Sequence, residues 1–143
     1  MENQQSREQD KKRFLRRYRK NVLCVARLEE KLKILDSRLT SPRTPSLSGM
    51  PRGGTPITTS DLITDKIELE DRIARLKEKG KIIKSEIVEE IDTLDDPRHC
   101  EVLEAYFIDG YSLKDIAKKE CYTDRHVFRL YSDAIALLVA NEN

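Results

Sequence analysis

The sequence predicts an all-α fold: a long helical hairpin or coiled coil followed by a C-terminal module of three short helices. Three observations predict it. Charged residues make up 37% of the 143 residues and the hydrophobic set 38%, with 6% aromatic and no Trp, a lean interior typical of long helices washed by solvent. Apolar residues recur at alternating steps of three and four over two stretches separated by a Pro/Gly/Ser segment, the spacing of a coiled-coil seam. The last third of the chain carries helix-capping residues at close intervals. The length fits one domain of about 100–200 residues and excludes a large multidomain enzyme.

The first element covers residues 1–39. Its seam is Phe14, Tyr18, Asn21, Val25, Leu28, Leu32, Leu35 and Leu39, broken once at Asn21. A polar residue there either sets register or lies beyond the contact zone, and the charged stretch before it favours the second reading. Arg7, Lys11, Lys12, Arg13, Arg16, Arg17, Arg19 and Lys20 give the segment a net charge of +6. This basic arm either reaches a polyanion or solvates a helix.

Residues 40–58 hold four of the five prolines and three of the five glycines, so a flexible connector is expected. Residues 59–94 resume the seam at Leu62, Leu69, Ile73, Leu76, Gly80, Ile83, Ile87 and Leu94, widened by Ile63, Ile67, Ile82 and Ile91 into a broader apolar face. Asp61 behind Thr59 or Ser60 predicts an acidic, capped start. Gly80 costs about 1 kcal/mol of helix propensity relative to Ala and marks either a close approach or a kink. At 1.5 Å per residue the two helices span roughly 45 and 51 Å, so an antiparallel hairpin is feasible. Their net charges, +6 and −3, favour pairing with each other, although a homo-oligomer joined through the long helices satisfies the same pattern.

Residues 95–143 form the terminal module. Asp95-Asp96-Pro97 starts a helix, because Asp caps an N-terminus and Pro fits the first helical position. That helix runs to about Asp109 with Val102, Leu103, Tyr106 and Phe107 inward, and Gly110 follows where a left-handed terminating residue is wanted. Ser112 caps a short helix with Leu113, Ile116 and Ala117 inward; Thr123 caps a last one with Val127, Leu130, Tyr131, Ala134 and Leu138 inward. Its outward face is expected to carry Arg125, His126, Arg129, Ser132 and Asp133.

Two short-linked helices with a small Ala117 at their crossing, the second longer and basic near its start, give the helix-turn-helix pattern. The chemistry this points to is recognition of double-stranded DNA. Arg125 and Arg129, one turn apart, suit guanine edges or flanking phosphates, and Thr123 and His126 add hydrogen-bonding groups. Lys114, Lys118 and Lys119 on the preceding helix are placed for the phosphate backbone. Residues 95–143 total −4, yet residues 112–129 carry five basic and three acidic side chains. The bland alternative is a three-helix bundle with a solvated charged face.

The stretch VLEAYFIDGYSLKDIAKKECYTDRHVFRLYSDAIALL resembles the region 4 helix-turn-helix of sigma factors, over about 45 residues. The whole arrangement, from basic helix through the TSP-initiated linker to a second helix ending in LDDPR and the terminal module, resembles small regulators of the RinA and ArpU types from phages of Gram-positive bacteria. The resemblance implies sequence-specific DNA binding, control of late phage genes and contact with RNA polymerase. It places DNA reading on Thr123, Arg125, His126 and Arg129. One departure stands out: the usual module has an apolar residue then Gly in the turn, where this chain has Glu120 and Cys121. A non-Gly residue at positive φ there costs about 1 kcal/mol.

Other chemistry finds little support. His99, Cys100, Cys121 and His126 are acceptable zinc ligand types, but the paired CxxC and HxxxH spacings are absent, and three scattered thiols read as small packing groups. No Walker loop, GxGxxG or GxSxG occurs, so no catalytic residue, metal or cofactor is expected and the protein is read as a non-enzyme. No run reaches the roughly 18 apolar residues of a membrane span, and the N-terminus lacks an apolar h-region; with three cysteines and no disulfide framework, the cytoplasm is the expected compartment. Two further readings stay open: a small terminase-like subunit that recognises packaging DNA, and a coiled-coil interaction protein that binds no nucleic acid.

Overall fold

The computed structural model describes residues 2–40 and 58–142, and every regular element among them is an α-helix. They are α1 (Glu2–Thr40), α2 (Thr59–Ile91), α3 (Pro97–Phe107), α4 (Leu113–Lys119) and α5 (Asp124–Ala140). The expected connector falls almost wholly on residues 41–57 and lies outside the described residues. No helix among the described residues is long and apolar enough to cross a membrane.

α1 and α2 pair antiparallel within the one chain. Their contacts run in opposite order along the two sequences: Lys11 with Glu90 at 2.5 Å, Arg17 with Glu86, Glu29 with Lys77 at 2.9 Å and Asp36 with Lys66 at 2.8 Å. Between these ion pairs, Val25 and Leu28 meet Ile73, with Leu32, Leu69 and Leu76 partly buried around them. The seam predicted from spacing is the surface that the two helices share. Exposed ion pairs are each worth about 0–1 kcal/mol, so the apolar strip provides most of the adhesion and the charges fix which ends meet.

Asn21 lies inside the contact zone, contrary to the sequence expectation. Its Nδ2 donates to the Leu76 carbonyl at 3.0 Å, and its side chain lies against Gly80, where an added Cβ would collide with Oδ1 and sit 3.2 Å from Cγ. Gly80 therefore marks a close approach: the absent side chain is the space that Asn21 occupies. The charged stretch before Asn21 does not end the interface, because the acidic groups that receive it, Glu86 and Glu90, are on α2. Two more expectations change. The α2 cap is Thr58, whose hydroxyl accepts from the Asp61 N–H at 3.2 Å while Asp61 accepts from the Thr58 N–H at 3.2 Å, a capping box one residue earlier than expected. Of the widened apolar face only Ile91 is buried; Ile63, Ile67 and Ile82 are exposed, Ile82 at 63%, since two helices can cover only one strip of each other.

The main core lies at the base of the hairpin. Leu15 of α1 and Ile83, Ile87 and Ile91 of α2 join Val102, Leu103, Phe107, Ile116, Ala117, Val127, Leu130, Ala134, Ile135 and Leu138 in one cluster, so a single core crosses the segment boundaries drawn from composition. Leu15 is 0% exposed although it lies off the seam. It shares a cluster with residues of α2 and of the terminal helices, so this part of α1 is buried beyond the seam. Part of the basic arm is spent within the protein: Lys11 is 6% exposed and held by Glu90 and Glu142. Burial pulls its ammonium pKa down, and the hydrogen bonds to Glu142 and Glu90 more than offset this, leaving it above its ordinary value.

Candidate nucleic-acid interface

α3, α4 and α5 are cut from the sequence by their caps. Asp96 accepts from the Arg98 N–H at 2.9 Å with Pro97 in the first turn; Ser112 accepts from the Asp115 N–H at 3.2 Å; Thr123 accepts from the His126 N–H at 3.1 Å. The Arg98 guanidinium also grips Asp96, and these hydrogen bonds hold the Asp96 carboxyl below its ordinary pKa. α3 stops at Phe107, two residues before the expected end, and Gly110 takes φ +81°.

The turn between α4 and α5 fixes the angle at which α5 leaves. The Tyr122 N–H donates to the Ala117 carbonyl at 2.8 Å and the Cys121 N–H to the Lys118 carbonyl at 3.4 Å, the two bonds of a Schellman ending. This ending needs a left-handed residue after the cap, and Cys121 supplies it at φ +57°. The departure from glycine in the sequence therefore leaves the backbone course intact. Ala117 is buried at the crossing, where a larger side chain would push the helices apart.

α5 buries Val127, Leu130, Tyr131, Ala134, Ile135, Leu138 and Val139 and leaves an outer stripe in solvent. Arg125 and Arg129 are exposed there, one turn apart, with Ser132 and Asp133 continuing the stripe. Lys114, Lys118 and Lys119 are exposed on α4, and the Lys119 ammonium lies 5.1 Å above the Tyr111 ring. None of these five cations forms an ion pair among the described residues, so no described carboxylate neutralises their charge.

Two of the sequence-predicted residues have other duties. Thr123 is committed to the cap as an acceptor, which leaves its hydroxyl proton available outward. His126 is half-buried, its ring edge-on to Tyr122 with centroids 4.9 Å apart and planes at 82°, so it stands at the margin of the outer stripe rather than in it. Phe128 was not foreseen. It is 60% exposed and, at about 100° per residue, stands roughly 60° around the helix from Arg125 and roughly 100° from Arg129, at the edge of the stripe. The signal for it was its place one residue outside the 127/130/131/134 apolar repeat.

The four candidate zinc ligands do not converge. The Cys100 thiol turns toward the carbonyls of Ile91 at 3.5 Å and Leu94 at 3.6 Å, Cys121 is exposed in the turn, and His126 packs on Tyr122. Among the described residues no three His, Cys, Asp or Glu side chains are grouped to hold a metal ion. No protein-family model, curated protein or solved structure matches this chain.

Proposed function

We propose that the chain is a sequence-specific, double-stranded DNA-binding protein that regulates transcription, with α4 and α5 acting as a helix-turn-helix and α5 entering the major groove. The observation that carries this reading is the outer stripe of α5, where two guanidinium groups one turn apart, with no ion-pair partner among the described residues, stand beside an exposed phenyl ring. Arg125 and Arg129 match the paired acceptors at a guanine edge, and Phe128 suits the methyl group of thymine. A buried face of seven residues holds α5 rigid under this stripe, as positioning on base edges requires. Lys114, Lys118 and Lys119 on α4 serve the phosphates beside the groove. The resemblance to sigma region 4 and to phage regulators of the RinA and ArpU types directs the reading toward control of phage genes, with RNA polymerase as a further partner.

The test is a binding titration over a series of salt concentrations, using a duplex selected from a random pool and an unselected duplex of equal length. The reading predicts that affinity for both falls linearly in logarithmic form, with a slope of about 0.9 per phosphate neutralised, and that the selected duplex binds more tightly. Absence of salt-dependent binding to either duplex contradicts it.

A further inference from the structure

The cations of α1 divide by the helix they face. Lys11 and Arg17, toward α2, are matched by Glu90, Glu142 and Glu86. Lys12, Arg16 and Arg19, on successive turns of the side that meets α3 and α5, have no carboxylate partner among the described residues. They rest instead on two tyrosines. The Lys12 ammonium is 5.9 Å from the centre of the Tyr131 ring, the Arg19 guanidinium is 5.4 Å from that of Tyr106, and the two rings meet edge-on at 5.2 Å. Arg19 also donates to the Gly110 carbonyl at 3.3 Å. Burial, and secondarily Tyr106, push the Tyr131 phenol above its ordinary pKa, and the nearby Arg16 partly opposes the rise.

Aromatic seats orient cations without neutralising them. The three side chains are half-buried, but no described carboxylate cancels the charge of this row, whereas the α2-facing cations are spent within the protein. The position of the row is set by Tyr131. At about 100° per residue, Phe128 stands roughly 60° and Ser132 roughly 100° around α5 from Tyr131, so α1 flanks the stripe on the Phe128 and Ser132 side. Packed helices lie about 8–10 Å apart, comparable with the roughly 12 Å width of the major groove. A helix docked beside the one that enters the groove meets the phosphates at its edge.

We infer that Lys12, Arg16 and Arg19 form a second phosphate-binding row, which grips the backbone of the same duplex that α5 reads. This rests on the DNA-binding reading above. The row extends it by giving the N-terminal helix a direct part in binding, and by assigning to that part affinity without sequence preference.

The experiment compares the full-length parent with Lys12→Gln/Arg16→Gln/Arg19→Gln, Lys12→Gln alone and Arg16→Lys/Arg19→Lys, titrating the selected and unselected duplexes across salt. Lys12 is included singly because its ammonium makes only the ring contact, so its loss leaves the fold in place. The expected result is a slope reduced by about 0.9 for the single variant and by up to about 2.7 for the triple, equally on both duplexes, so that their affinity ratio is unchanged. The Lys variant is expected to keep the parent slope. A single Lys12→Gln variant with the parent slope on both duplexes overturns the inference, as does a loss confined to the selected duplex. If such a variant fails to shift the slope while Arg125→Ala/Arg129→Ala still abolishes the preference for the selected duplex, the α1 row fails and the reading of α5 survives. A parent that binds neither duplex removes both.

Discussion

The two ends of the hairpin have the same sequence periodicity and different surroundings. At the far end, among the described residues, α1 and α2 meet only each other: Val25, Leu28 and Ile73 are buried, Leu32, Leu69 and Leu76 partly so, and Ile34, Ile63 and Ile67 are exposed. At the base the same helices also meet α3 and α5, and Leu15, Ile87, Ile91, Leu103 and Phe107 are all at 0% exposure. A spacing of three and four therefore states which residues face a partner. It does not state how many partners there are. Each fully buried aliphatic or aromatic side chain contributes about 1.5–3 kcal/mol, so the base should hold the chain together and the far end should open more readily.

The strongest way to break this comparison is to make one substitution at both ends. Leu15→Ala removes a side chain enclosed by three helices and is expected near the upper part of the 2–5 kcal/mol range for such truncations. Leu28→Ala, in the smaller cluster with Val25 and Ile73, is expected near the lower part. Denaturant unfolding measures both, and equal losses would show that the far end is as tightly enclosed as the base.

A smaller effect tests the contact that joins the two ends. In the parent, Gly80→Ala gains about 1 kcal/mol of helix propensity but displaces Asn21 from the Leu76 carbonyl, a hydrogen bond of similar net worth, so stability is expected to change little. In an Asn21→Ala background the same substitution is expected to stabilise by about 1 kcal/mol. An equal response in both backgrounds would mean that Gly80 does not make room for Asn21.

What could be read from the sequence follows the range of the interactions. Asp96, Ser112 and Thr123 act on N–H groups two or three residues away, and the left-handed turn residues are set by their neighbours, so the three short helices were legible with ends shifted by a residue or two. The inward faces of α4 and α5 were legible because each has one apolar side. Leu15 and Lys11 were hidden, since their burial depends on α5 and on Glu142, far along the chain. Asn21 and Gly80 each looked like a flaw in a seam and are explained only by each other. At the candidate interface Arg125 and Arg129 were legible from their distance to the apolar repeat, whereas the half-burial of His126 needs Tyr122, and the cation row of α1 needs two tyrosines from different helices.

A further small effect is local to the module. Cys121→Gly removes the cost of a side chain at φ +57° and is expected to stabilise by up to about 1 kcal/mol, with DNA affinity unchanged, because the turn already has the left-handed course. Thermal unfolding checks the first part and titration the second. A destabilised glycine variant would show that the Cys121 side chain contributes contacts which offset its strain.

The central claim is that the outer stripe of α5 reads base pairs. Its most direct measurement is the ratio of affinities for selected and unselected duplexes, taken at one salt concentration for the parent and for Arg125→Ala/Arg129→Ala. The predicted result is a loss of about 1–3 kcal/mol for each arginine that contacts a base, concentrated on the selected duplex, so that the ratio approaches one while the variant stays folded. A folded variant that keeps the parent ratio contradicts the claim.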